Sequence, residues 1–207
     1  MTYASLDEVE LVARSGAALA LCSTSISVVR GALPPAQEFA GFGGCVGLGT
    51  DQACNCTNMF DEMKYAALIH KYKNHDATIF PSWKILRMAT IEGAKALGMH
   101  REIGSLEQGK RADFIAVDTM QPSMMPIYTH PMRNMVPNLV YSARGCEVDV
   151  SVVEGRVIME HQKLLAVDET QYLEQMQTRA QDLGQQATEM FEKIHGTNAV
   201  FMEEGKL

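Results

Sequence analysis

Two short, unbroken apolar runs, AALALC at residues 17–22 and CVGLG at residues 45–49, constrain this chain more than any other feature. Neither alternates polar with apolar residues, so neither suits a strand with one wet face. Such runs belong to parallel sheets covered on both sides. Each is preceded by a helix signal. Ser5-Leu6-Asp7-Glu8 is a capping box, the serine closing the first turn and Glu8 reaching back to its amide. The helix through Val9, Leu11 and Val12 stops at Gly16, and Pro34-Pro35 opens a second short helix that ends in the glycines of 41–44. A longer helix is predicted over about 58–73, with Phe60, Met63, Ala67 and His70 at spacings of three and four. Ser82 can cap the next, WKILRMATIEGAKAL, which Gly98 ends. The order so far, α-β-α-β-α-α, is that of a right-handed, parallel wound α/β arrangement.

The character changes after residue 110. ADFIAVD, NLVYSAR, VDVSVVEG and RVIME are β-rich runs parted by glycine, proline and charge, and Glu154-Gly155 reads as a hairpin turn. They predict a separate antiparallel unit over 111–166. Its apolar face would come from Phe114, Ile115, Val117, Leu139, Val140, Val152, Val153 and Val157. Asp168-Glu169-Thr170-Gln171 is a second capping box, opening a long polar helix to about His195. Its thin apolar stripe suits packing on the body of the protein or on a sister subunit, and the last dozen residues read as frayed. The chain thus divides into 1–110, 111–166 and 167–207.

Composition excludes several classes of function. With a net charge of −7 and no clustered Lys/Arg run, neither nucleic acid nor an anionic membrane is expected as partner. No apolar stretch approaches the roughly 20 residues of a membrane span. The N-terminus carries acids where a signal peptide carries bases, so a cytoplasmic protein is expected. Its five cysteines, an odd set, read as reduced thiols.

Asp51 stands apart. It closes the second apolar run directly after Gly49-Thr50, on a strand-to-helix loop. Strand C-terminal ends are where α/β proteins place their chemistry, though an aspartate there can also simply cap a turn. Cys54-Asn55-Cys56 with Cys45 could form a thiolate metal site, but the spacing is not a standard zinc pair. IGSLEQGKRAD is glycine-punctuated yet lacks the Gly-Lys-Ser/Thr ending of a phosphate loop.

VGLGTDQA, NMFDEMKYAALIHK, ILRMATIEGAKALGM and IGSLEQGKRADFIAVD occur in this order, followed by LVYSARG and VSVVEGRVIME. Together they resemble the C-terminal half of the amidohydrolase superfamily, nearest the adenosine-type and S-adenosylhomocysteine or methylthioadenosine deaminases and the triazine chlorohydrolases. The resemblance runs from about residue 5 to residue 181. It implies an α/β fold: the C-terminal β/α units of a TIM-type (β/α)8 metal-dependent hydrolase barrel, a small β-sandwich portion and a C-terminal helix. Asp51 matches the family's Gly-Thr-Asp aspartate at the end of the eighth strand, which implies a catalytic and metal-binding role, taking the proton of the attacking water. The implied cofactor is a divalent metal, zinc first and iron second. The implied reaction is hydrolysis of a non-peptide C–N bond in a small purine-like or heteroaromatic amine.

The family's other ligands are a His-x-His pair and single histidines after the fifth and sixth strands. This sequence has no His-x-His, and its histidines, His70, His75, His100, His130, His161 and His195, fall at no expected barrel strand end. Where the family's seventh strand reads His-Cys-Pro-x-Ser, this chain reads Leu21-Cys22-Ser23-Thr24-Ser25. The resemblance therefore implies a C-terminal part lacking the histidine ligands, completed by an N-terminal half or working in a homo-oligomer. The alternative is a non-catalytic truncated relative serving as a binding or oligomerisation module.

Overall fold

The computed structural model describes residues 1–51, 57–194 and 196–205. They form two compact units, Met1–Lys163 and Leu164–Leu207. In the first, α1 (Leu6–Arg14) begins at the expected capping box: the Ser5 amide donates to Glu8 at 2.8 Å and the Glu8 amide to Ser5 Oγ at 3.4 Å. The apolar runs form β1 (Ala18–Leu21) and β2 (Cys45–Leu48), paired in parallel from Ala18 opposite Cys45 to Leu21 opposite Leu48. Leu21 and Val46 are fully buried in one core cluster with Val9, Met63, Ile85, Met88 and Phe39, the last on α3 (Ala36–Gly41). The opposite face of β1 is open: Ala18 and Ala20 are exposed, so only one side of this strand is covered by described residues. Gly47 has no room for a side chain, because a Cβ there would lie 2.9 Å from the Cα of Gly93. That contact seats β2 directly on α6 (Ile91–Ala96).

Three stretches differ from the sequence expectation. Residues 23–30, given no element by pattern, form α2 (Ser23–Arg30); its serines and β-branched residues are poor helix formers, and the helix depends on a distant cap described below. WKILRMATIEGAKAL is two helices, α5 (Ser82–Ala89) and α6, broken at Thr90 with φ −125 and ψ −102. Pro81, not Ser82, stands at the N-cap. The buried Glu92 carboxylate clamps the break, meeting Lys84 Nζ at 2.6 Å and Arg87 Nε at 3.1 Å. NLVYSAR is not a strand: it falls on α7 (Met135–Tyr141) and the residues after it, and Leu139 and Val140 belong to this helix. Val136 and Val140, four apart, are buried, and α7 packs on α5 and α4 (Met59–Asn74). A short apolar run does not distinguish a buried helical turn from a strand.

The antiparallel sheet is present with order β3 (Phe114–Val117), β4 (Val148–Val153), β5 (Arg156–Glu160), β6 (Lys163–Leu164). Glu154 and Gly155 both take positive φ, 50 and 75, as the tight turn between β4 and β5 requires. Val152 is buried, whereas Phe114, Ile115, Val153 and Val157 are exposed in this chain. Glu147, 2% exposed, pins the connection into β4: Ser123 Oγ donates to one carboxylate oxygen, and the Arg144 and Gly145 amides each donate to the other at 2.9 Å. Burial pushes its pKa up, but these hydrogen bonds outweigh it and hold the carboxyl at about 2.

In the second unit, α8 (Glu169–Ile194) starts where Asp168 Oδ1 accepts the Gln171 amide at 3.1 Å. A further short helix, α9 (Thr197–Glu203), follows where fraying was expected.

Candidate active site

The geometry around Asp51 begins with the end of β2. Past Leu48 the Gly49 amide donates to the Leu21 carbonyl at 3.0 Å, so the two strands stay paired to their C-terminal ends. The chain then turns sharply, with Asp51 at φ 58, a conformation that aspartate tolerates better than most residues. This projects the Asp51 side chain from the strand end. Ser25 Oγ donates to Asp51 Oδ2 at 2.8 Å and fixes the carboxylate's orientation.

Ser25 owes its position to Glu62. α2 begins at Cys22, which offers no side-chain cap. Instead Glu62, fully buried on α4, accepts the Ser23 amide at 2.5 Å and the Thr24 amide at 3.0 Å. A carboxylate at a helix N-terminus satisfies orphan donors and meets the positive end of the helix dipole. Burial raises the Glu62 pKa, and the hydrogen bonds pull against that rise without cancelling it. Burial raises the thiol pKa of Cys22, and the charges of Glu62 and Asp51 raise it further. A thiol held protonated in this way is a poor nucleophile.

Asp51, Ser25 and Cys22 line a cavity of about 420 Å³ together with Thr2, Leu19 and Arg30. One exposed carboxylate, anchored by a hydroxyl at the mouth of such a cavity, can exchange a proton with a water or a small polar ligand.

The described residues do not make a metal site by themselves. Among them no three His, Cys, Asp or Glu side chains are grouped so that they could hold a metal ion. His70 is buried on α4, edge-on to Phe80 at 5.3 Å, and neither ring nitrogen finds a hydrogen-bond partner among the described residues. Burial, with some help from Lys73, lowers its pKa to about 4. His75 closes α4 with φ 52, and exposed His161 lies 3.3 Å from Asp149. Cys45 Sγ lies 3.5 Å from the Glu92 carbonyl oxygen. Cys54, Cys56 and His195 fall outside the described residues, and with them the expected thiolate site.

Sequence reasoning found Asp51 but not Ser25 or Glu62. The signal for Glu62 was available: it occupies the buried face of α4 with Ala66 and His70, four residues apart, where an acid needs a partner.

The described fold is mixed α/β, and its solved neighbours are of the TIM-barrel hydrolase type. A zinc-bound adenosine deaminase from Xanthomonas campestris superposes with a TM-score of 0.80 at 28% identity, over 86% of this chain and 40% of that one. The zinc-bound atrazine chlorohydrolase TrzN of Arthrobacter aurescens TC1 gives 0.76 at 23% identity, a likeness of fold, over 86% of this chain and 39% of that one. Residues 1–158 match the Amidohydrolase family, and the chain belongs to it. A 5'-deoxyadenosine deaminase of Methanosarcina acetivorans is 41% identical over 140 residues, 67% of this chain and 31% of that protein. A 5-methylthioadenosine/S-adenosylhomocysteine deaminase of Pelotomaculum thermopropionicum is 36% identical over 179 residues, 84% of this chain and 40% of that protein. The chain thus spans a third to two fifths of the length of the relatives it matches. Among the described residues no helix is long and apolar enough to cross a membrane.

Proposed function

We propose that this chain contributes the proton-handling aspartate of an amidohydrolase that hydrolyses a non-peptide C–N bond, deaminating a small purine-like or heteroaromatic amine. In this reading residues 1–110 are the last β/α units of a TIM-type barrel, 111–166 a β-sandwich portion, and 167–207 a C-terminal helix and tail, working in the cytoplasm. The observation that carries it is Asp51 itself. It sits at the C-terminal end of a parallel strand, held by Ser25 and opening on a cavity. The deaminase names of the relatives support the substrate class.

The chemistry asked of Asp51 is proton transfer. Its carboxylate takes a proton from the water whose oxygen bonds to the ring carbon, and returns it to the amine as the C–N bond breaks and ammonia leaves. General acid–base help of this kind contributes about 10²–10⁴-fold. A divalent metal, zinc first and iron second, would have to take its other ligands from beyond the described residues. A complementing N-terminal half or a second copy of the chain would supply them. Alone, the chain is expected to bind zinc weakly, a single carboxylate falling short of the three protein ligands of a catalytic site.

The test is ammonia release from adenosine-type nucleosides, with the chain alone and mixed with the missing N-terminal portion of a relative. Turnover by the mixture, lost by at least about 100-fold in Asp51→Asn, is expected. Turnover indifferent to that substitution would sink the assignment of Asp51. The absence of a three-ligand cluster among the described residues favours a second reading, a non-catalytic binding or oligomerisation module. Association with the N-terminal portion without ammonia release would decide for it.

A further inference from the structure

The helix α8 lies beyond the residues that match the family, and its described side chains are all exposed. Along it Leu173, Met176, Ala180, Leu183, Ala187 and Met190 follow one another at steps of 3, 4, 3, 4 and 3. That spacing is a heptad repeat. A face meant for a globular core drifts with the 3.6-residue turn, whereas a strict seven-residue repeat keeps one narrow seam on a partner helix. Leu183 and Met190 on this seam are each 64% exposed. Outside the seam the helix is mostly polar, and its acids, Glu169, Glu174, Asp182, Glu189 and Glu192, outnumber Arg179 and Lys193, so an acidic membrane surface is a poor partner.

We propose that α8 pairs with α8 of a second copy of this chain as a short antiparallel coiled coil. Two features of the sequence select a second copy and its direction. Large and small residues alternate along the seam from Met176 to Met190. In an antiparallel pair the position holding Ala180 meets Leu183 of the second copy and the position holding Ala187 meets Met176, so each small side chain faces a large one. A parallel pair would stack alanine on alanine and leave gaps. Charge points the same way: the first turn carries Glu169 and the last turn Lys193. Antiparallel helices set Glu169 against Lys193 of the second copy at both ends, whereas parallel helices set like against like. The helix is about 39 Å long at 1.5 Å per residue. This is a modest surface beside the roughly 1,600 Å² of a standard interface, so dissociation is expected on the order of micromolar.

Sedimentation of the full chain across the micromolar range tests this. A concentration-dependent monomer–dimer equilibrium is expected, abolished in Leu183→Glu and unchanged in Gln185→Glu on the outer face, with circular dichroism confirming that both variants fold. A monomer at every concentration would overturn the proposal, as would a dimer that survives Leu183→Glu, since association would then run through another surface. Direction is read from a charge cycle. Glu169→Lys alone should weaken the dimer about threefold to tenfold, and adding Lys193→Glu should restore it. A double variant no tighter than the singles would exclude the antiparallel pairing.

Discussion

Glu62 is a buried acid whose two accepted amides start the helix that carries Ser25. Glu62→Ala would leave the Ser23 and Thr24 amides buried without a partner, at a cost of about 1–3 kcal/mol for such a loss. Denaturant unfolding should show that drop, with a smaller one for Glu62→Gln, which keeps an acceptor oxygen. His70 and Glu147 set the acid limb of stability, in different windows. A histidine buried neutral, with its pKa at about 4 against an ordinary 6.5, leaves the unfolded chain binding more protons between those values. Stability therefore rises with pH there, with a slope approaching about 1.4 kcal/mol per pH unit, and is lost as pH falls. His70→Leu should flatten the slope between pH 6.5 and 4. Glu147, its carboxyl held at about 2 against an ordinary 4.5, contributes stability that is complete above 4.5 and lost as pH falls toward 2. Glu147→Gln should lower stability at neutral pH while leaving the His70 window in place. Unfolding curves at a series of pH values separate the two.

At the scale of elements, tight packing and local signals explain different successes. The Cβ of a Gly47→Ala chain would press on the Gly93 backbone, which cannot swing aside as a side chain can. An overpacking cost of about 1–3 kcal/mol is expected, read as a lower denaturation midpoint with an unchanged slope. The Ser5 and Glu8 box, the parallel strand pair and the turn at Glu154-Gly155 were legible in the sequence because each is written within a few adjacent residues. α2 was not, since its cap lies 38 or 39 residues away on α4. α7 was misread because Leu139 and Val140 in a short apolar run carry no period that separates helix from strand. The break at Thr90 was hidden for a related reason: Glu92, Lys84 and Arg87 hold it through side chains that suit an unbroken helix equally well. At the candidate site, the motif revealed Asp51, while Ser25 and Glu62 depend on tertiary contacts.

Across the whole molecule, the cap on α2 bears on the order in which the candidate site comes together. An eight-residue helix is too short to persist alone, since isolated helices under about 12–15 residues are marginal in water. α2 therefore exists only once α4 has docked and closed the long loop between them. Ser25 can orient Asp51 only after that event, which makes the mouth of the cavity a late product of folding rather than a local one. Hydrogen exchange would record this history: the amides of Ser23 and Thr24 should exchange in step with the middle of α4, not with the loops beside them. In Glu62→Ala they should exchange at the rate of a frayed segment while α4 stays protected. Any mutation that loosens α4, even one far from the cavity, should then disorder Ser25 first, so the site would lose its geometry well before the protein unfolds.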